Sequence, residues 1–283
     1  MFRTSPAAMF FRLYSPAAAL RPFVQHYLVA HVRTANGRPL PAPKPQPPSP
    51  YQSLYFYPRG EMSTFHYGQG REIKSPRSIL VGPQVSRVDL NFAPEHLVVC
   101  VACKPGGLHR LLGVPVKELF DFSVDSRAVL GPAVDEVADR LAETTDYDQM
   151  VAVVETYLLR AARRLAGAPR PLDALLPQLL SGWVARPVER LAHEVCLSPR
   201  QFERNFFERV GMGPKLYARI ARFDQAFRLK EQQPALDWLA VAVHTGYYDY
   251  RHLVRDFKAF AGVTPPQLLA ADAAHTRLAR AGG

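Results

Sequence analysis

Leu191-Ala192-His193-Glu194-Val195-Cys196-Leu197-Ser198-Pro199-Arg200-Gln201-Phe202-Glu203-Arg204, followed by Phe206 and then Gly211-Met212-Gly213-Pro214, decides how the rest of the chain is read. Val241-Ala242, Gly246-Tyr247, Leu253, Phe257, Gly262 and Pro265 repeat the pattern, offset by 50 residues before the turn and 51 after it. The copies therefore differ by one inserted turn residue. Each copy holds a short apolar helix, a turn, a second helix with an apolar inner stripe, and a closing Gly-x-x-Pro, as in a helix-turn-helix unit.

Ser198-Pro199 supplies an N-cap and a proline at the first helical position, so the second helix of the first unit is expected over residues 199–209. Phe202, Phe206 and Val210 recur at four-residue spacing and must face inward, leaving Arg200, Gln201, Arg204 and Glu208 outward and Glu203 at the margin. In the second unit Asp249 is the expected N-cap. Leu253, Phe257 and Phe260 form the buried stripe, which turns Tyr250, Arg251, Val254, Arg255 and Lys258 outward. Residues 214–232 read as one linking helix with Lys215 near its start; at 1.5 Å per residue it is about 28 Å long, close to the roughly 34 Å of one DNA turn. Arginines on such helices can reach guanine edges or phosphates, and Gln201 can pair with adenine. A solvated ion pair with Glu203 or Glu208 is the competing reading for each arginine of the first unit.

The stretches 191–204 and 211–215, together with Gly246-Tyr247-Tyr248-Asp249-Tyr250-Arg251-His252-Leu253-Val254-Arg255-Asp256-Phe257 and Gly262-Val263-Thr264-Pro265, resemble the DNA-binding domain of AraC/XylS-type bacterial transcription regulators. The resemblance covers about residues 172–270. It implies sequence-specific promoter binding, as activator or repressor. It also implies base-reading positions at Arg200, Glu203 and Arg204 in the first unit and at Tyr250, Arg251, Val254 and Arg255 in the second. Cys196 departs from the family pattern, which has glycine in the turn. A non-glycine residue costs on the order of 1 kcal/mol there if the backbone is left-handed. Glu203 departs too, because a carboxylate repels phosphate unless it accepts from a cytosine amino group or pairs with Arg200.

Upstream, residues 51–102 break into short β-type runs at 52–57, 62–67, 78–81, 87–92 and 96–102, separated by Pro58-Arg59-Gly60, Gly68-Gln69-Gly70, Gly82-Pro83 and Ala93-Pro94. Alternation puts Tyr51, Ser53, Tyr55 and Tyr57 on one face and Gln52, Leu54 and Phe56 on the other. The first face lines either an aromatic effector pocket, with Tyr51, Tyr55, Tyr57 and His66 as its candidates, or ordinary core. Residues 14–32 suit a short helix or a strand. Prolines 39, 41, 43, 45, 47, 48 and 50 exclude helix interior and central strand, leaving an extended surface loop or a proline-rich ligand. Residues 132–143 and 147–164 carry apolar stripes of an antiparallel helical pair, which either covers the sheet or serves subunit contact. Leu80-Val81-Gly82-Pro83 and the run from Lys104-Pro105-Gly106-Gly107 to Gly113 resemble the β-rich sensor domain of a branch of the same regulators, implying a cupin-like or related effector domain.

The expected fold is thus an α+β N-terminal sensor domain, a small antiparallel sheet or cupin-like barrel plus helices, joined to an all-α C-terminal domain with two helix-turn-helix units. Its organisation is an effector domain at 1–168 (β-rich 51–102, helical 132–165, Pro-rich loop 39–50), a DNA-binding domain at 172–270 and a tail at 271–283. The length of 283 residues suits two domains. The net charge of +10 favours anionic partners; residues 181–283 hold 15 Lys/Arg against 10 Asp/Glu, a denser excess than upstream.

Three cysteines without disulfide spacing suit a reducing compartment, and no signal segment or run of about 18 apolar residues is present, so a cytoplasmic protein off the membrane is expected. Cys100-Val101-Ala102-Cys103 on a strand would face opposite sides and cannot chelate one ion as a pair. His26, His31, His66, His96 and His109 lack metal-ligand spacing, and no phosphate-cradling loop, nucleophile elbow or paired-carboxylate motif occurs. No catalytic residue, metal site or cofactor is expected. Expected partners are double-stranded promoter DNA, RNA polymerase, an unidentified small-molecule effector and a second copy of the chain. The alternatives are a barrel enzyme or metal-binding sensor with an appended DNA-binding domain, and a protein-interaction role for the C-terminal domain, which predicts basic rows paired internally with acids.

Overall fold

The computed structural model describes residues 8–34, 43–165, 168–179 and 186–281. Ten strands precede the first long helix: β1 (Ala8–Tyr14), β2 (Val24–Arg33), β3 (Lys44–Gln46), β4 (Gln52–Arg59), β5 (Met62–His66), β6 (Arg71–Lys74), β7 (Ser78–Val81), β8 (Val88–Phe92), β9 (Glu95–Cys103) and β10 (Ser123–Asp125). They form two antiparallel sheets, ordered β1-β2-β9-β4-β7-β10 and β3-β8-β5-β6. The larger sheet is covered on both sides. Tyr27 and Val29 of β2, Leu54 and Phe56 of β4, and Leu97, Val99 and Val101 of β9 enter a core shared with helices. Their alternating neighbours Leu28, Tyr55, Tyr57, His96 and Val98 point the other way, toward the smaller sheet.

The helices on the outer face are α1 (Gly107–Leu112), α2 (Ser126–Leu130), α3 (Ala133–Glu143) and α4 (Tyr147–Arg163). Val134, Val137 and Leu141 of α3 and Met150, Val154 and Leu158 of α4 are buried in that core. The apolar stripes of the helical pair are therefore spent on covering the sheet.

Residues 14–32, ambiguous in sequence, fall mostly on β1 and β2, with a 3-10 turn at Ala18–Leu20 between them. The expected surface loop at 39–50 is corrected where it is described, residues 39–42 lying outside the described residues. β3 pairs with β8, and Pro45, Pro48 and Pro50 are buried. Proline is tolerated here because β3 is an edge strand, with no ladder demanded on its outer side.

The C-terminal part comprises α5 (Pro171–Leu175), α6 (Val188–Glu194), α7 (Pro199–Val210), α8 (Pro214–Gln232), α9 (Trp238–His244), α10 (Tyr250–Ala261) and α11 (Pro265–Ala281). α7 starts in a capping box: Ser198 Oγ accepts from Gln201 N–H while the Gln201 side chain accepts from Ser198 N–H. It ends at Gly211, whose φ of +85° only glycine adopts readily. α10 repeats the device with Asp249, which accepts from His252 N–H, and Gly262 at φ +71°. Phe202, Phe206, Tyr217, Phe223, Leu253 and Phe257 are all at 0% exposure in one core, each contributing roughly 2–3 kcal/mol by burial. The expected tail at 271–283 is corrected, since α11 continues through Ala281.

The two parts dock at the C-terminal ends of the helices that begin at Pro199 and Tyr250. Buried Gln52 Nε2 donates to the Arg209 and Val210 carbonyls at 3.3 and 3.1 Å, and Arg87 N–H donates to the Phe260 carbonyl at 3.2 Å. These are the carbonyls a helix terminus leaves without an internal partner. The loop before Arg87 is held by Asp121, whose carboxylate accepts from the Val85 and Ser86 amides and the Ser86 hydroxyl.

Candidate functional site

The outward rows of α7 and α10 stand free of the core. Arg200, Gln201, Glu203 and Arg204 on α7, Lys215 on α8, and Tyr250, Arg251, Arg255 and Lys258 on α10 are exposed, and Val254 is half-buried. Among the described residues none of these charged side chains has an ion pair, and Glu203 does not pair with Arg200. Basic groups elsewhere in the domain behave otherwise. Arg219 bonds the buried Asp256 at 2.7 Å, Arg228 bonds Asp224 at 2.8 Å, and Arg209 bonds Asp173 at 2.7 Å with both side chains enclosed. The linking helix thus uses much of its positive charge internally, whereas the two exposed rows keep theirs available.

Two first-unit positions depart from expectation. Gln201 is committed to the capping box: its Oε1 accepts from both the Ser198 amide and hydroxyl at 3.0 Å. A bidentate adenine contact needs that oxygen and the amide N–H together, so this geometry withdraws Gln201 from such a pairing. Cys196 sits at φ +55°, matching Gly246 at φ +76° in the second turn, so the unit keeps the left-handed turn and carries its cost on a cysteine.

A cavity of about 240 Å³ lies between the two sheets. Leu28, Ile79 and Val98 face it from the larger sheet, and Met62, Leu90 and Phe92 from the smaller. Tyr55 and Tyr57 from β4 and His66 from β5 line it. Tyr51 does not: it precedes β4, and the Arg228 guanidinium lies 5.4 Å above its ring, so the docking with α8 takes it away from the cavity. His96, which the sequence left among scattered histidines, lines the cavity instead, its ring 4.6 Å from Phe92 and 5.7 Å from Tyr57.

Burial governs the ionisation of this interior. It lowers His66, and it brings His96 down to about 4, with the His31 charge adding a little. Tyr57 is pushed up by burial, and Tyr55 by its neighbour Cys100 and then by burial. The imidazoles and phenols are thus neutral near pH 7. His66 and His96 are 5% and 4% exposed, yet His66 Nε2 and both ring nitrogens of His96 have no hydrogen-bond partner among the described residues. His31 lies elsewhere, against Tyr147 and Glu95. Cys100 and Cys103 are buried in β9, and burial drives the Cys100 thiol up to about 12. Among the described residues no group of three or more His, Cys, Asp or Glu side chains is placed to hold a metal ion, and no helix is long and apolar enough to cross a membrane.

A β-rich domain docked on paired helix-turn-helix units with unpaired basic rows defines a class, the two-domain DNA-binding transcription regulators. Comparison at the level of sequence agrees. Residues 191–271 match a family model described as a helix-turn-helix domain, and residues 12–125 match one described as a domain of unknown function (DUF6597). An uncharacterized HTH-type transcriptional regulator from Haemophilus influenzae is 24% identical over 232 residues, covering 76% of each chain. Among solved structures, ToxT from Vibrio cholerae with an unsaturated fatty acid bound is 12% identical at a TM-score of 0.47, covering 86% of this chain and 94% of that one. A second ToxT structure gives 12% and 0.47 over 87% and 97%. Residues 191–271 are thus an AraC-type helix-turn-helix domain, preceded by a β-rich part that matches the DUF6597 model.

Proposed function

We propose that α7 and α10 enter successive major grooves of promoter DNA and that a small molecule in the cavity between the sheets controls how they do so. Arg200 and Arg204 in the first unit and Arg251, Arg255 and Lys258 in the second supply the contacts. Lys215 holds a phosphate, and Glu203, Tyr250 and Val254 tune which bases are accepted. The observation that carries this reading is the division of charge. The outward rows have no acidic partner among the described residues, while Arg219, Arg228 and Arg209 are paired. A domain built to bind protein through these faces would be expected to neutralise them.

The reading extends to a homodimer at a promoter, working with RNA polymerase in the cytoplasm and catalysing no reaction. Three unbridged cysteines support a reducing compartment. Fragments selected from the source genome identify the operator. Its affinity for the full chain should then fall steeply with salt; the six basic side chains named, each displacing one counter-ion, give a logarithmic slope of about −5. A slope near zero would remove DNA from the function of these helices.

A further inference from the structure

We propose that the cavity is shaped for an uncharged, hydroxyl-bearing ring compound, recognised through its hydroxyl by His66 and His96, and that it discriminates against carboxylates. This rests on the cavity being the effector site and names the chemistry of its occupant.

Charge sets the first limit. Among the described residues lining the cavity Lys44 alone carries a formal charge; it lies on edge strand β3, and its ammonium acts on Glu231 of α8. Among the described residues its lining offers no guanidinium and no carboxylate. A ligand carboxylate placed there would lose hydration with no buried counter-ion among the described residues to replace it. An uncharged molecule avoids that cost.

The polar groups set the second limit. A neutral imidazole presents one N–H donor and one lone-pair acceptor. Both nitrogens of His96 and Nε2 of His66 are buried without a partner among the described residues, so the two histidines that line the cavity keep at least one donor and one acceptor unused. A hydroxyl can accept from the one and donate to the other, whereas a carboxylate only accepts. The His96 ring is held between Phe92 and Tyr57, so its nitrogens are oriented before any ligand arrives.

Size and surface set the third. A volume of about 240 Å³ exceeds the roughly 150 Å³ cavity that takes up benzene, enough for a substituted ring or two fused ones. Tyr55 and Tyr57 line it with their ring planes 10° apart and centroids 6.4 Å apart, two parallel aromatic rings on one side, and Leu28, Val98 and Leu90 supply aliphatic contact. Flat rings fit such walls at little conformational cost.

Calorimetric titration of the full chain with 2-naphthol, naphthalene and 2-naphthoate separates the three factors with one ring system. We expect 2-naphthol to bind at least about tenfold tighter than naphthalene, and 2-naphthoate to bind weakest. His96→Leu, and separately the more conservative His96→Gln, should shrink the 2-naphthol advantage to less than about threefold while naphthalene still binds, which shows that the cavity remains intact. Tighter binding of 2-naphthoate than of 2-naphthol overturns the proposal, as does an undiminished hydroxyl advantage in both His96 variants. Operator affinity, measured with each compound, keeps the two levels apart. If 2-naphthoate wins and shifts operator affinity, the cavity remains an effector site and only its ligand class is wrong. If none of the three binds to protein that still binds its operator, the effector-site reading falls together with the proposal.

Discussion

At Cys196 the backbone adopts φ +55° on an exposed residue, at the position that Gly246 takes in the turn of the second unit. Relief of a left-handed L-residue is worth about 1–2 kcal/mol, against which glycine adds unfolded-chain freedom worth up to about 1 kcal/mol. Cys196→Gly should therefore stabilise the protein by about 0.5–1 kcal/mol in urea denaturation; a loss of stability would mean that the thiol makes a contact that outweighs the turn. His96 gives a prediction with a defined pH window. Its folded-state value near 4 lies below the ordinary 6.5, so the unfolded chain binds the proton more tightly. The associated stability is complete above about pH 6.5 and is lost as pH falls through 4, on the order of 3 kcal/mol in all. His96→Gln should flatten this acid limb, and parallel stability curves for the two proteins would refute the assignment.

Among the elements, α7 and α10 carry the sharpest expectation. Arg251→Ala and Arg255→Ala should each cost about 1–3 kcal/mol at the operator and relax preference at one base position if they read bases. Band-shift titration against operator variants checks both; uniform weakening across all sequences would make them phosphate contacts instead. These helices were legible because their determinants are local: Ser198-Pro199, Asp249, Gly211, Gly262 and phenylalanines at helical spacing. The β-domain was less so. β2 lies inside a sheet covered on both faces, so the alternation that marks a half-exposed strand is blurred over residues 24–33, and β1 carries apolar Met9, Phe11 and Leu13 on its exposed side. β6 and β10 are short and polar, and β3 hides under prolines. Three of the four proposed pocket residues line the cavity because alternation within one strand is local information. Tyr51 and His96 escaped because docking against Arg228 and the placement of β9 between β2 and β4 are set by distant parts of the chain.

For the molecule as a whole, the informative contact is the one between its two parts. Gln52→Leu would strand the Arg209 and Val210 carbonyls without their buried donor, at about 1–3 kcal/mol. Hydrogen exchange should then quicken in the last turn of α7 and across residues 116–119, which pack against it, while the β1–β2 ladder keeps its protection; unchanged exchange at α7 would show that the docking does not depend on this residue. The grip also has a mechanical consequence. Gln52 and Arg87 hold α7 and α10 at their far ends, while in this type of unit the near ends meet the bases. Each helix has 12 residues, about 18 Å of rigid rod. A tilt of some 5° at the held end swings the tip by roughly 1.5 Å, about the margin between a formed and a broken hydrogen bond. Gln84, three residues before Arg87, lines the cavity, so the pivot of these levers stands at the wall of the chamber itself.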